Sequence, residues 1–107
     1  MKYYLMVEAF PSHPDRVDEF NEWYETTHIR EVVACDGFLK ATRLAPADAA
    51  GGSFITLYEI EGDPERALHN VHAAAAAKQF DMSDSLSFGP VPKMRIMQVY
   101  SEYVKPE

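Results

Sequence analysis

Between residues 20 and 38 the chain reads FNEWYETTHIREVVACDGF, and within it Asn21, Tyr24 and His28 recur at intervals of three and four. On a helix advancing about 100° per residue these three stack in a row. The row coincides with the apolar positions Val17, Phe20, Val32 and Cys35, so it points inward. An inward polar row must be hydrogen-bonded internally or wetted by a cavity, because an unpaired buried amide or imidazole costs about 1–3 kcal/mol. A satisfied core histidine and a pocket both meet that condition. Histidine changes charge near neutral pH, and a phenol can donate to an oxygen that gains negative charge. The chemistry on offer is proton transfer by His28, with Tyr24 and Asn21 binding the charged oxygen. Glu31, about one turn further on, is placed to orient or charge-balance the imidazole.

A second segment bears on the choice between core and pocket. Residues 64 to 80 read PERALHNVHAAAAAKQF, and the inward face of a helix there carries Ala67, Leu68, Val71, Ala74 and Ala75. Methyl groups leave room between helix and sheet, so a polar row opposite them favours a cleft of small-molecule size. Trp23, Val71, His72, Ala75, Phe80 and Phe88 are the candidates to line its apolar part or its lid, and Glu31 is a polar candidate to line the same cleft.

Other chemistries find no support. His69 and His72 stand three apart, but His69 falls on the outer face and no Cys or carboxylate stands at a matching spacing, so no metal site is expected. His13 is expected in solvent. Cys35 lies near a helix C-terminus, where the dipole raises a thiol pKa, and reads as an inert core residue. Gly51-Gly52 joins strands instead of opening a helix, which leaves no phosphate cradle or nucleotide fingerprint.

The elements that position these residues follow from local pattern. KYYLMVEAF, residues 2 to 10, suits a strand ended by Pro11. In PSHPD, Ser12 can cap and Pro14 can occupy the first turn of a helix predicted to run from Pro14 to Cys35, with Gly37 as its stop. FLKATRLAP is a second strand, ADAAGGS a reversal and FITLYEI a third strand. Asp63 and Pro64 start a second helix that the alanine run carries to about Phe80. Residues 81 to 92 are a loop able to fold over something, and KMRIMQVYSEYV is the last strand. The order β-α-β-β-α-β is the ferredoxin-like α+β pattern, a four-stranded antiparallel sheet with two helices on one face.

Length and composition bound the rest. The chain of 107 residues is one domain, 1–107, with 47% hydrophobic and 12% aromatic residues. A formal charge of −7 with scattered Lys and Arg argues against nucleic acid and against anionic membrane. One cysteine, and a start without signal-peptide or membrane-span character, suit the cytoplasm. In FITLYEI, Phe54, Thr56, Tyr58 and Ile60 alternate with Ile55, Leu57 and Glu59, and the last strand also has apolar residues on both sides. Two helices cover one face only, so a second copy packing sheet against sheet is expected to cover the other.

The run FNEWYETTHI, Phe20 to Ile29, followed by GFLKATRL, resembles the EthD-like branch of the dimeric α+β barrel superfamily over nearly the full chain. That resemblance implies two ferredoxin-like subunits joining their sheets into a barrel, each with a cleft between sheet and helices. It also implies small-molecule enzymes, among them cofactor-free monooxygenases, isomerases, cyclases, dehydratases and haem-degrading enzymes. His28 takes the place of the motif's helix histidine, with Trp23 and Tyr24 as its aromatic pair. Arg30 stands where many relatives have Pro. The expected function is a homodimeric enzyme without a tightly held cofactor, moving a proton on a hydrophobic cyclic or aromatic carbonyl compound. The rivals are haem binding through His72 or His28, and a carrier of a hydrophobic metabolite.

Overall fold

A computed structural model describes residues 2–48 and 52–107. Strands β1 (Tyr3–Ala9), β2 (Phe38–Leu44), β3 (Phe54–Ile60) and β4 (Lys93–Gln98) form one antiparallel sheet in the order β2-β3-β1-β4. One helical run spans 14–33, the other is α3 (Pro64–Ala76), and both lie on the same face, as the ferredoxin-like α+β pattern requires. The part of the expected β2–β3 reversal formed by Ala49, Ala50 and Gly51 lies outside the described residues.

Alternation decides which strand residues meet the helices. Leu5, Val7 and Ala9 of β1 and Thr56, Tyr58 and Ile60 of β3 are buried on the inner face. Pairing in register makes two cross-strand rows there, Ala41–Tyr58–Leu5–Ile96 and Arg43–Thr56–Val7–Met94. Phe20, Val32, Ala67 and Val71 close the core from above. The outer face carries Tyr4, Met6, Ile55, Leu57, Leu44 and Met97, interleaved with Glu8, Glu59, Lys40, Thr42, Lys93 and Arg95, and no helix covers it.

The first helical run departs from the uniform α-helix predicted from Pro14 to Cys35. It opens with a 3-10 turn (Pro14–Arg16), continues as α1 (Val17–Trp23), widens into a π-helical turn (Tyr24–His28) and closes as α2 (Ile29–Val33). The N-cap is His13 and not Ser12: its Nδ1 accepts the Asp15 amide at 3.1 Å. At the widened turn the Glu22 carbonyl accepts the Thr26 hydroxyl at 2.8 Å and the Glu25 carbonyl accepts Arg30 Nε–H at 3.4 Å. Side chains thus satisfy carbonyls that regular helix geometry would leave to the backbone.

The second helix follows its sequence signals at the start and ends early. Asp63 caps it by accepting the Glu65 amide at 3.0 Å, and α3 stops at Ala76, short of the expected Phe80. Lys78, with φ +57, turns the chain away. Gly37 is fixed for two reasons: its φ is +103, and a Cβ there would meet the Ala67 Cβ at 2.9 Å. The last strand ends at Gln98 instead of continuing to Val104, because no neighbouring strand accompanies it further. Tyr100 and Tyr103 beyond it are exposed.

Candidate active site

A cavity of about 340 Å³ lies over the β1–β4 half of the sheet. Leu5, Val7, Tyr58 and Met94 form its floor, Tyr24, His28 and Val32 one wall, and Val71, His72 and Ala75 of α3 the other. The chain from Phe80 to Pro92 folds across it, contributing Phe80, Met82, Leu86, Phe88, Val91 and Pro92. The lining is almost wholly apolar, with phenols and imidazoles as its polar groups, the usual make-up of a small-molecule site.

The π-helical turn explains how Tyr24 and His28 both reach this space. Its side chains pack on the core as Phe20, Tyr24, Ile29 and Val32, a stripe stepping by four, five and three. The five-residue step shifts the phase of the residues after Tyr24, and Tyr24 and His28 share the cavity wall, while Asn21, in the regular helix before the turn, lies at its flank. The row of three expected from a 3.6-residue period is therefore broken. Asn21 Oδ1 accepts Arg43 Nη2–H at 2.9 Å and does not line the cavity.

His28 is held by rings and a carboxylate. Its imidazole lies nearly parallel to the Trp23 indole, 4.7 Å between centroids and 16° between planes. Tyr24 and Phe80 meet it edge-on at 5.1 and 5.6 Å. Nδ1 faces Glu31 Oε1 at 3.7 Å, and both atoms are buried without a hydrogen-bond partner. Burial pushes the imidazole below its ordinary pKa, opposed by the Glu31 carboxylate, so burial favours the neutral ring. A neutral imidazole with Nδ1 turned to a carboxylate has Nε2 left to accept a proton. Trp23 and Glu31, expected to line the site, instead stand behind His28.

The phenols make the second polar group. Tyr24 sits beside the hydroxyls of Thr56 and Tyr58, and burial raises the pKa of both phenols, that of Tyr58 well above the ordinary value. They stay protonated and act as donors. The Tyr58 hydroxyl is buried with no formed hydrogen bond. Behind Tyr24, the Arg43 guanidinium lies 4.4 Å from the ring centroid and donates to Glu25 Oε2 at 2.8 Å.

Of the other residues named from sequence, Val71, His72, Ala75, Phe80 and Phe88 line the cavity, His72 and Phe88 as exposed side chains at its mouth. His69 is exposed on the outer face of α3. Cys35 is a free thiol, half-buried, its pKa raised chiefly by burial. Among the described residues no three His, Cys, Asp or Glu side chains gather to hold a metal ion, and no helix is long and apolar enough to cross a membrane. Sequence reasoning missed Tyr58 and Arg43. The signal for both was present, since period-two alternation puts Tyr58 with Thr56, and Arg43 with Ala41, on the inner face.

The segment 81–92 is tied down along its first half. Ser12 donates its amide to the Ser85 carbonyl at 2.6 Å, and Ser87 donates to the Phe10 carbonyl at 2.8 Å. Arg16 binds the Asp84 carboxylate at 2.6 Å, which holds that carboxyl below its usual pKa. Ser85, Leu86 and Ser87 are buried beneath these contacts.

No protein-family model matches the sequence, and no curated protein matches it. Solved structures do resemble it in shape. A "putative monooxygenase" from Shewanella loihica PV-4 superposes with a TM-score of 0.66 at 13% identity, over 95% of this chain and 99% of that one. Rv0793 from Mycobacterium tuberculosis gives 0.56 at 14% identity, over 97% and 100%. The monooxygenase ActVA-Orf6 of Streptomyces coelicolor, solved with the ligand nanaomycin D, gives 0.56 at 18% identity, over 96% and 92%. Each match covers nearly the whole of both chains. The chain has the ferredoxin-like α+β fold of these structures.

Proposed function

We propose that this chain is a small enzyme of the monooxygenase type, which takes a hydrophobic cyclic or aromatic carbonyl compound into the cavity and removes a proton from it with His28. The observation that carries this reading is the half-buried imidazole on the wall of an apolar cavity, with Nδ1 turned to a carboxylate. His28 Nε2 accepts the proton that leaves a carbon or hydroxyl of the substrate, and the electron pair stays on the enolate or phenolate oxygen. The Tyr24 and Tyr58 hydroxyls are the donors available to that oxygen. The enolate then reduces dioxygen, supplied from solution as co-substrate: a C–O bond forms at the enolate carbon, the peroxide takes up the proton held by His28, and loss of water from the hydroperoxide leaves a carbonyl at that carbon, with the substrate supplying all the electrons. Isomerisation, cyclisation and elimination share the same first proton transfer.

The names of two structural neighbours, and the small-molecule ligand of one, support the oxygenation reading. We place the chain in the EthD-like branch on the strength of the Trp23-Tyr24 to His28 spacing, as a cytoplasmic homodimer joined through the apolar outer face of the sheet. No tightly held cofactor is required. Oxygen uptake with a panel of hydroxylated aromatic ketones tests the proposal: turnover that disappears in His28→Ala supports it, and undiminished turnover in that variant rejects it. A Soret band on adding haemin, lost on replacing His28 or His72, would favour a haem protein instead.

A further inference from the structure

Both backbone polar groups at the root of the covering segment are engaged by residues that contact His28. The Asp81 carbonyl accepts Trp23 Nε1–H at 2.8 Å, and Trp23 is the ring stacked on the imidazole. The Asp81 amide donates to Glu31 Oε2 at 2.7 Å, while Glu31 Oε1 faces His28 Nδ1 at 3.7 Å. Those last two atoms are buried without other partners, one a carboxylate acceptor and the other a nitrogen able to donate, so each is the complement at hand for the other. The segment rooted at Asp81 carries Met82, Leu86, Phe88, Val91 and Pro92 of the cavity wall.

We propose that Glu31 is a positioning residue whose two oxygens couple the base to the cover: Oε1 fixes His28 in the tautomer protonated at Nδ1, while Oε2 holds the root of the segment closing the cavity. A displacement of the cover at Asp81 turns the carboxylate and so changes its hold on Nδ1. A change at the imidazole passes back along the same path. The remaining ties of the segment, at Asp84, Ser85 and Ser87, lie on the far side of Met82 and leave the root at Asp81 as the part in register with His28. The titratable groups around the cavity are Glu31 and Tyr24 on the same helical run, Tyr58 on β3, His72 on α3 and Asp81 on the segment itself. Of these, Glu31 is the one whose charge acts on His28. An isolated His–Glu pair would fix a tautomer without sensing the cover. The Asp81 amide on the second oxygen makes the difference.

The inference rests on the proposed function only for the catalytic meaning of the tautomer, and its test needs no substrate. Side-chain 15N spectra of His28 and amide hydrogen exchange at Asp81, in the full-length protein, read the two ends of the coupling. The wild-type chain is expected to show a single Nδ1–H tautomer, and a dominant Nε2–H tautomer overturns the proposal. In Glu31→Gln the tautomers are expected to mix and the Asp81 amide to exchange about tenfold faster, as loss of a charge-assisted hydrogen bond implies. Faster exchange with an unchanged His28 spectrum makes Glu31 an anchor alone and overturns the coupling. Asp81→Pro removes the amide donor while sparing Glu31 and His28, and is expected to alter the His28 spectrum; an unaltered spectrum also overturns it. Full oxygen uptake by His28→Ala, beside these spectral results, would reject the catalytic reading and leave the coupling standing.

Discussion

The Arg43 guanidinium lies 4.4 Å from the centroid of the Tyr24 ring, on the inner face of the sheet. Its Nη1 donates to Glu25 and its Nη2 to Asn21, so three residues of the helical run close on one cation from an edge strand. The Phe20 and Phe54 rings lie further out, at 5.8 and 5.5 Å. A planar guanidinium can stack and donate sideways at once, which an ammonium cannot. The contact joins β2 to the helical run at the start of the turn that carries His28, and so sets the position of one cavity wall.

Replacing Arg43 by Met is therefore expected to cost about 2 kcal/mol, the sum of a desolvated cation–π contact and hydrogen bonds to a buried charge. Arg43→Lys is expected to recover less than half of that loss. Urea denaturation of the three proteins measures both, and equal stability of wild type and the Met variant would show that the stacking contributes nothing.

Stability should depend on pH through His28. Its pKa is lowered on folding, first by burial and against the pull of Glu31, so the unfolded chain binds this proton more readily. The contribution from neutral His28 is fully present above the unfolded pKa of about 6.5 and is lost as pH falls through the lower folded value. The drop in urea midpoint from pH 8 to pH 5 is expected to be larger in the wild type than in His28→Gln. Equal drops would mean that the imidazole is not held neutral by the fold.

Gly37→Ala is expected to destabilise the chain by about 2–3 kcal/mol. The φ of +103 disfavours any Cβ, and the one added would press on Ala67, a buried residue of α3 with nowhere to retreat. Thermal melting reports the loss. An unchanged melting temperature would mean that the helix-to-strand corner adjusts freely.

The uncovered apolar residues of the outer face predict self-association. Leu57 sits in its middle, opposite Met6 on one neighbouring strand and Thr42 on the other. Sedimentation is expected to show a dimer for the wild type and a monomer for Leu57→Lys, whose charge cannot be buried between two sheets without a partner. A wild-type monomer at micromolar concentration would remove the sheet-to-sheet arrangement from the proposed function.

The order of elements was legible in the chain because each has a local cause. Strands showed as period-two runs between Pro and Gly, the second helix through the Asp63-Pro64 start and its alanines, and the corner through Gly37. Termination was less legible. The last strand is apolar and β-favouring to Val104, yet β4 stops at Gln98, because a strand needs a neighbour and that requirement is not local.

The candidate site divides along the same line. The sequence by itself determined that His28 and Tyr24 lie on one helix, that small residues face them, and that both sheet faces carry apolar residues, since all three are matters of spacing and residue type. Only the tertiary structure decided that the run widens into a π-helical turn from Tyr24 to His28, that these two residues line the cavity, and that Asn21 pairs with Arg43. Helical phase is a sum over every turn, and one widened turn, held by Thr26, Arg30 and the packing of Ile29, changes the sum without changing the pattern of letters. Tertiary packing also set Trp23 and Glu31 behind the imidazole instead of in the cavity, because their partner, the backbone of Asp81, stands 50 residues beyond Glu31 in the chain.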